Sequence, residues 1–528
     1  MNASPVSAMD LSRRKHAVFE GSSVIALSAI LLCWGLARPW IGHHDSNGGF
    51  YSMGATQALR HGFLTTKFAH VRNGGPQTPG HFDFFFHHPH MIIWWTAAFQ
   101  SALDSREWAV RLSSIIPMSL ASWMLWLIGR RFSPTRSYAL ALGVGAAMMP
   151  LFAYFGRHPE CMNLVHPLLL FGFYAYDRWI CDNFAPRRFL IFAAVLFLGC
   201  QTEWLMYLLA PSLWAVHVFR RRPKLSWLTW LCVMHLAFFG LYLLHAWWAL
   251  GTDGWTQLLE GLRTRTVGEN TGPGGIYLLL ARMVAFKVAM WVTVPLVLLA
   301  MVGLWIRGKG HGHACSTLDD IVMALIIISA IWILALPRNI IPHEFMLYPV
   351  GLLILILAVD GLWTLASNPR LPFRTAAAVL ATLYIAQAGF VLAYNHSEAR
   401  QQGYILTHDF CKAVATTTRF EDAIATPLNV TDLLAAYYAD RYLMSSITSM
   451  NQLHLREAQT NRRARYWVIG IQEELVEKHP YYRAAMQSGT LPGVFSAHAP
   501  EVLSLQRQYR MIRIHGFRLF DLIPPVKP

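Results

Sequence analysis

Acids, imidazoles and guanidinium groups gather in one polar stretch that directly follows the first apolar run of this chain. The stretch begins His43-His44-Asp45, passes through His81-Phe82-Asp83 and His87-His88-Pro89-His90, and closes on Arg106-Glu107. Ionisable groups are costly beside hydrocarbon, so their concentration at a membrane boundary marks a place for chemistry. Asp45 follows the apolar run 20–41 within five residues. A carboxylate there can take the proton of an acceptor hydroxyl as a new bond forms at its oxygen, although an acid just past a helix end is also an ordinary loop residue. His88 and His90 can position a phosphate or an acceptor, or join Asp45 and His44 around a divalent metal. Their spacing matches no metal signature, hydrogen-bonded loop histidines would look the same, and Pro89 fits the start of the apolar helix that follows.

Further charged groups stand at the mouths of later apolar runs. Glu107 and Arg111 are four apart on one helical face and suit an ion pair at a helix entrance. Arg157, in Arg157-His158-Pro159-Glu160, can grip a phosphate with two parallel hydrogen bonds. Glu203-Trp204 reads either as a site acid or as an interface anchor. Arg338, His343 and Glu344 converge ahead of the tenth apolar run.

The elements that must position these groups are membrane helices. The chain has 528 residues, of which 55% are hydrophobic and 14% charged, with 20 Trp and 30 Phe. That is too apolar for an ordinary soluble protein and rich in interfacial aromatics. Runs long enough to cross a bilayer, which takes about 20 residues, lie at 20–41, 108–129, 137–155, 161–180, 188–203, 204–219, 226–250, 277–306, 319–336, 345–366 and 373–394. The predicted fold class is therefore a polytopic α-helical membrane protein with about eleven transmembrane helices. The net charge of +15 is spread as short basic clusters between apolar runs, which argues against nucleic acid and for topogenic charge.

Those clusters fall on alternate loops, which the positive-inside rule places in the cytoplasm. The N-terminus is then cytoplasmic, and the His-rich loop, the loops 251–275 and 337–343 and the C-terminus lie outside. The first apolar run ends in Arg38-Pro39-Trp40, not in a small-residue cleavage site, so it is expected to stay as a span. Of the seven Cys, only Cys411 lies in the C-terminal region, which excludes an internal disulfide there. The loop 251–275 carries Trp255, Leu258, Leu259 and Leu262 on one helical face, with Arg263 and Arg265 beyond. It is expected to be either a helix lying on the membrane or a lid that touches substrate.

Two domains are expected: 1–394 as the transmembrane domain, with 42–107 as its first external loop, and 395–528 as a small external α/β domain. In the latter, 422–427, 465–471 and 509–521 read as strands or a hairpin, and 429–441 and 473–488 as helices. In the first loop, 48–61 reads as an amphipathic helix with Tyr51 on one face.

With these residues in view, the chain resembles the GT-C superfamily of integral-membrane glycosyltransferases. It is most similar to the branch that holds the protein O-mannosyltransferases and the aminoarabinose transferases of lipid A. The Asp45 loop with Tyr51, the His87-His88-Pro89-His90 segment, Glu107 to Leu112, Arg157, Glu203-Trp204 and His343-Glu344-Phe345 carry the resemblance, over about residues 20–360. Two positions depart from it: Asp45-Ser46 stands where relatives show Asp-Glu, and His88-Pro89-His90 where they show His-Pro-Pro.

The resemblance implies inverting transfer of a sugar from a polyprenyl-phosphate donor to a lipid, glycan or protein acceptor on the outer face of the membrane. Asp45 would be the general base. Arg157, with Arg338 or His343, would hold the departing phosphate, and Tyr51, His88 and Glu344 would contact substrate, with Glu107, Arg111 and Glu203 in support. Such chemistry requires no cofactor; a divalent metal at His44 or His90 stays open. The absence of endoplasmic-reticulum signals points to a bacterial inner membrane, with the C-terminal domain periplasmic. A multi-span transporter and a non-catalytic lipid-linked glycan-binding protein are the competing readings. The charges stand at helix mouths and not mid-membrane, which favours surface chemistry.

Overall fold

The computed structural model describes residues 8–76, 82–133, 135–220, 223–266, 273–309, 317–397, 400, 405–427, 435–471, 499–514 and 517–523. The chain divides into two units that are not contiguous in sequence. The first comprises Met1–Leu36, Phe86–Ile92 and Arg111–Ser397, and the second Ala37–Phe85, Ile93–Val110 and Glu398–Pro528. The polar first loop is thus divided, with most of it grouped with the C-terminal region.

Each apolar run read from the sequence contains helix, and among the described residues seven helices are long and apolar enough to cross a membrane. These are Lys15–Leu32, Glu107–Phe132, Leu225–Leu250, Gly275–Gly308, Thr317–Ala335, Glu344–Ser367 and Leu371–Asn395. The chain is an integral membrane protein. The remaining runs fall short for local reasons. Met149-Pro150 breaks 137–155 into Arg136–Met148 and Pro150–Phe155, because proline removes a helix donor. Cys161–Cys181 carries Asp177 and Arg178. Glu203 interrupts 188–219, and a short 3-10 segment, Trp204–Leu208, precedes Leu209–Phe219.

Charges at the helix ends of this unit are paired, as a low-dielectric surrounding demands. Arg307 binds both Asp319 and Asp360, and Asp360 also accepts the Tyr138 hydroxyl at 2.7 Å. Arg220 faces the buried Asp320 at 3.3 Å. Two helices meet through glycine: a Cβ on Gly303 would run into the Leu357 carbonyl, and one on Gly361 into the Leu299 carbonyl. Small residues of this kind let backbones approach where no hydrophobic drive exists between helices.

In the second unit, strands β1 (His70–Val71) and β2 (Phe84–Phe85) form an antiparallel pair within the first loop. The C-terminal region contributes β3 (Ala423–Ala425), β4 (Tyr442–Met444), β5 (Tyr466–Ile471), β6 (Arg510–Ile514) and β7 (Phe517–Asp521), in the order β4-β3-β5-β7-β6. The first three are mutually parallel and the last two close as an antiparallel hairpin. Alternate residues face opposite sides. Ile424, Val468 and Leu519 pack with Phe410 and Val414 of helix Ile405–Thr417, whereas Trp467, Ile469 and Phe520 pack with Leu453 of Met450–Thr460 and Val502 and Leu505 of Pro500–Gln508.

The α/β character and four of the strands, β3, β5, β6 and β7, agree with the sequence reading. β4 and the helices 405–417, 450–460 and 500–508 do not appear in it, and the expected helix 473–488 lies outside the described residues. The free edge of β4 is closed by one side chain: the Asn73 amide pairs with both the N–H and the carbonyl of Leu443, at 3.3 and 3.4 Å.

The Gly303 contact makes a direct test. Gly303→Leu overpacks a backbone-to-backbone contact, a cost of about 1–3 kcal/mol, and lowers the Tm of the detergent-solubilised protein. Gly308→Leu, on the same helix with nothing within 4 Å, leaves it unchanged.

Candidate active site

The first unit holds a cavity of about 450 Å³. Its walls are apolar: Tyr207, Phe239 and Leu243 on one side, Trp332 and Leu336 on another, and Trp255, Leu258, Leu259 and Leu262 from the helix Asp253–Arg265. Those four positions recur at helical spacing, so one face of a short amphipathic helix becomes a cavity wall, and Gly261 lets the helix come close to the His87 ring. Besides His87, three ionisable side chains break the apolar lining: His88, Glu203 and Arg265.

These three form a linear relay. His88 Nδ1 lies 2.8 Å from Glu203 Oε2, and its Nε2 lies 2.7 Å from an Arg265 terminal nitrogen. A guanidinium can only donate, so Nε2 must carry the lone pair and Nδ1 the proton, which it donates to the carboxylate. The surrounding bonds fix each member. The other Glu203 oxygen accepts the Trp204 backbone N–H at 2.9 Å, the Trp204 indole donates to the His87 carbonyl at 3.0 Å, and Arg265 donates to the same carbonyl at 3.0 Å. Tyr242 donates to the Phe86 carbonyl at 2.8 Å. Burial, reinforced by the Arg265 charge, holds the His88 imidazole below its ordinary value near 6.5, against the opposing pull of Glu203. His88 is therefore neutral. Arg265 spends two of its five donors on His87 and His88; among the described residues the other three have no protein partner.

The sulfur of Cys161 joins His88 and Glu203, with ligating atoms within 4.8 Å of one another. Thiolate, imidazole and carboxylate are a zinc-type set. Both His88 ring nitrogens are engaged in hydrogen bonds, so a metal would have to displace the proton shared with Glu203. The two histidines singled out for a metal from the sequence fall in different units. His44, at φ +60°, lies with its ring 4.2 Å from that of His43, and the buried His90 packs edge-on against Phe86 and His245.

Elsewhere in the first unit, Arg157 is completely buried. It donates to the Trp34 carbonyl at 2.7 Å, to His396 at 3.2 Å and to His158 at 3.2 Å, and stands over the Tyr154 ring. His396 in turn lies flat on Trp34, ring centroids 4.5 Å apart. Arg111, also buried, donates to the Leu36 carbonyl. Glu344 pairs with Lys287 at 3.3 Å, whose ammonium also binds the Ile340 and Ile341 carbonyls. Arg338 sits on the short helix Pro337–Ile340, and the His343 ring lies against Phe345.

In the second unit Asp45 is fully buried at the N-terminus of helix Ser46–His61. Its carboxylate makes no capping bond to that helix and accepts the Gly42 N–H at 2.7 Å. Tyr51 is buried beside Phe50 and His70. Glu107 accepts the Tyr438 hydroxyl at 2.7 Å.

A family model described as dolichyl-phosphate-mannose-protein mannosyltransferase matches residues 87–248, which include His88, Arg157 and Glu203. No curated protein sequence matches the chain. Among solved structures, ArnT from Cupriavidus metallidurans bound to undecaprenyl phosphate aligns over 94% of this chain and 97% of that chain, with TM-score 0.58 and 12% identity. The archaeal oligosaccharyltransferase AglB from Archaeoglobus fulgidus, in complex with an inhibitory peptide and a dolichol-phosphate, aligns over 96% of this chain and 75% of that chain, with TM-score 0.55 and 13% identity. The chain has the GT-C fold.

Within this GT-C fold the structure adds residues that the sequence reading passed over. Arg265 was noted only as part of a loop. Lys287, a cation well inside a largely apolar span, carried a legible signal, because such a residue needs a partner. His396 and Tyr438 carried none, since their partners are hundreds of residues away.

The His88 environment sets a pH dependence. The folded state keeps the imidazole neutral below 6.5, whereas the unfolded chain takes up the proton there, so His88 favours the native state fully above 6.5 and progressively less as pH falls below it. Thermal melts between pH 7.5 and 5 should show a larger loss of stability in the wild type than in His88→Asn.

Proposed function

We propose that this protein transfers a sugar from a polyprenyl-phosphate donor to a hydroxyl of a lipid, glycan or protein acceptor at the outer face of the membrane, with inversion. The observation that carries the reading is Arg265: a cation held rigidly by His88 and the His87 carbonyl at a largely apolar cavity, with three donors unspent among the described residues. A phosphate attached to a prenyl chain has the matching chemistry, an anion for the guanidinium and hydrocarbon for the walls. ArnT bound to undecaprenyl phosphate and AglB in complex with a dolichol-phosphate share the fold and support the same class of donor.

In this scheme Asp45 takes the acceptor hydroxyl proton while the oxygen attacks the anomeric carbon. The bond from that carbon to the phosphate oxygen breaks, its electron pair leaves with the polyprenyl phosphate, and the single displacement inverts the centre. Arg265 neutralises the charge that develops on the leaving group, which is electrostatic stabilisation by a preorganised donor. Glu203 and His88 act through Arg265 by fixing its orientation. Arg157, Arg338 and His343 are further positions for holding donor phosphate, with Tyr51 and Glu344 as substrate contacts. The leaving group carries no nucleotide, so the scheme requires no nucleotide-bound metal. The alternation of basic clusters supports a cytoplasmic N-terminus and an external site, and the reading places the protein in a bacterial inner membrane with its C-terminal region periplasmic.

The test is sugar transfer by the purified protein from a panel of labelled polyprenyl-phosphate sugars. Asp45→Asn should lower turnover by about 100-fold or more with donor binding intact. Arg265→Ala should weaken donor binding by about 10- to 100-fold, the worth of one or two charge-assisted hydrogen bonds. Turnover surviving in Asp45→Asn would move the base elsewhere, and unchanged donor affinity in Arg265→Ala would remove the cavity from the scheme.

A further inference from the structure

We infer that Tyr438, in the C-terminal region, is a positioning residue that sets the Asp45 loop, so that the small α/β region serves the reaction by holding the base and not by touching the sugar. The inference rests on the assignment of Asp45 as the base, and it stands on contacts within the second unit.

The backbone around Asp45 is a chain of tight turns. Ile41 N–H bonds the Pro39 carbonyl, Asp45 N–H bonds the Gly42 carbonyl, and Gly42 N–H holds the Asp45 carboxylate at 2.7 Å. Turns of this length have little stiffness of their own, so the position of the carboxylate depends on what anchors the segment. Trp40 is the anchor. It is completely buried, and its ring lies so close over Gly48 that a Cβ there would collide with it, which ties the turn to the helix behind Asp45.

The Trp40 backbone N–H is bound by the Tyr438 hydroxyl at 2.7 Å, and the same hydroxyl contacts Glu107 Oε1 at 2.7 Å. An amide can only donate and a carboxylate only accept, so the roles are forced: the hydroxyl oxygen accepts from Trp40 and its proton goes to Glu107. Burial and the adjacent carboxylate push the Tyr438 hydroxyl up, so it stays protonated and keeps both bonds. Its ring is locked edge-on by Tyr437 and His408 and packs with Trp40 and Val110.

Neighbouring residues brace the same support. The Tyr437 hydroxyl donates to the Ser105 carbonyl at 2.8 Å, and Asp440 takes Arg60 through both oxygens and the Gly75 N–H through one. One short stretch, Tyr437 to Asp440, therefore reaches three separate parts of the first loop, and Tyr438 is the member that touches the turn leading to Asp45.

Removing only the hydroxyl takes a hydrogen bond from the buried Trp40 segment and a donor from the half-buried Glu107 carboxylate, a loss that the loop relieves by shifting. A general base displaced by about 1 Å loses up to about 100-fold in rate. The experiment uses the full-length purified protein and Tyr438→Phe, which keeps the ring. The expected result is a fall in kcat of about tenfold or more at unchanged donor KM and nearly unchanged Tm, with faster amide hydrogen exchange confined to residues 39–45. Glu107→Ala should behave alike, and Glu107→Gln, whose amide oxygen still accepts the hydroxyl, should recover most of that loss. Wild-type kcat and exchange in Tyr438→Phe would overturn the inference, as would a parallel decline of kcat, donor binding and Tm, which would mark a general structural role. Turnover surviving in Asp45→Asn would sink the base assignment alone, because faster exchange at 39–45 in Tyr438→Phe would still support the tether.

Discussion

An imidazole with a carboxylate on one nitrogen and a guanidinium on the other has no freedom of tautomer, and this constraint at His88 organises the cavity. Arg265 sits at the end of a helix that would otherwise lie along the membrane with its charge in water. The lone pair on His88 Nε2 gives the guanidinium a fixed acceptor, and Glu203 holds that lone pair in place by taking the proton on the far side. The result is a cation aimed by neutral and anionic groups behind it. Glu203 is itself fixed by the chain break that makes it the cap of a 3-10 turn, so an interruption in an apolar run becomes the base of the relay.

The membrane imposes the same accounting on the other buried charges. Lys287 meets Glu344, and Arg307 and Arg220 meet Asp319, Asp360 and Asp320. Around Arg157 a carbonyl, an imidazole and an aromatic face take part in its solvation.

How far the sequence could be read follows from the range of each interaction. The membrane class and the helical nature of every apolar run were legible because hydrocarbon burial is written locally, in composition. The wall-forming face of Trp255, Leu258, Leu259 and Leu262 was legible for the same reason, through its period. β5 and the hairpin β6–β7 were legible as apolar and aromatic runs, whereas β4 is three residues long and gains its strand character only from β3 and Asn73. Of the candidate residues, His88 and Glu203 are brought together by the fold. Arg265 escaped notice because nothing in a polar, glycine-rich loop distinguishes an arginine that faces a cavity from one that faces water. Glu107 was paired in expectation with Arg111, its neighbour on a helix face, but its carboxylate takes a hydroxyl from 331 residues away. No pattern on that helix face announces so distant a donor.

The Asn73 side chain that closes the edge of β4 also sets an order of assembly. Its partner Leu443 lies 370 residues later in the chain. At 5–20 residues per second of synthesis, roughly 20–70 s separate the two on the ribosome. Throughout that interval the first loop exists without the strand it will cap, and the hydroxyl that steadies Trp40 has not been made. The loop that bears Asp45 is thus among the first parts of the protein to be made and among the last to acquire its final shape, so a nascent or prematurely terminated chain would carry that loop still unset.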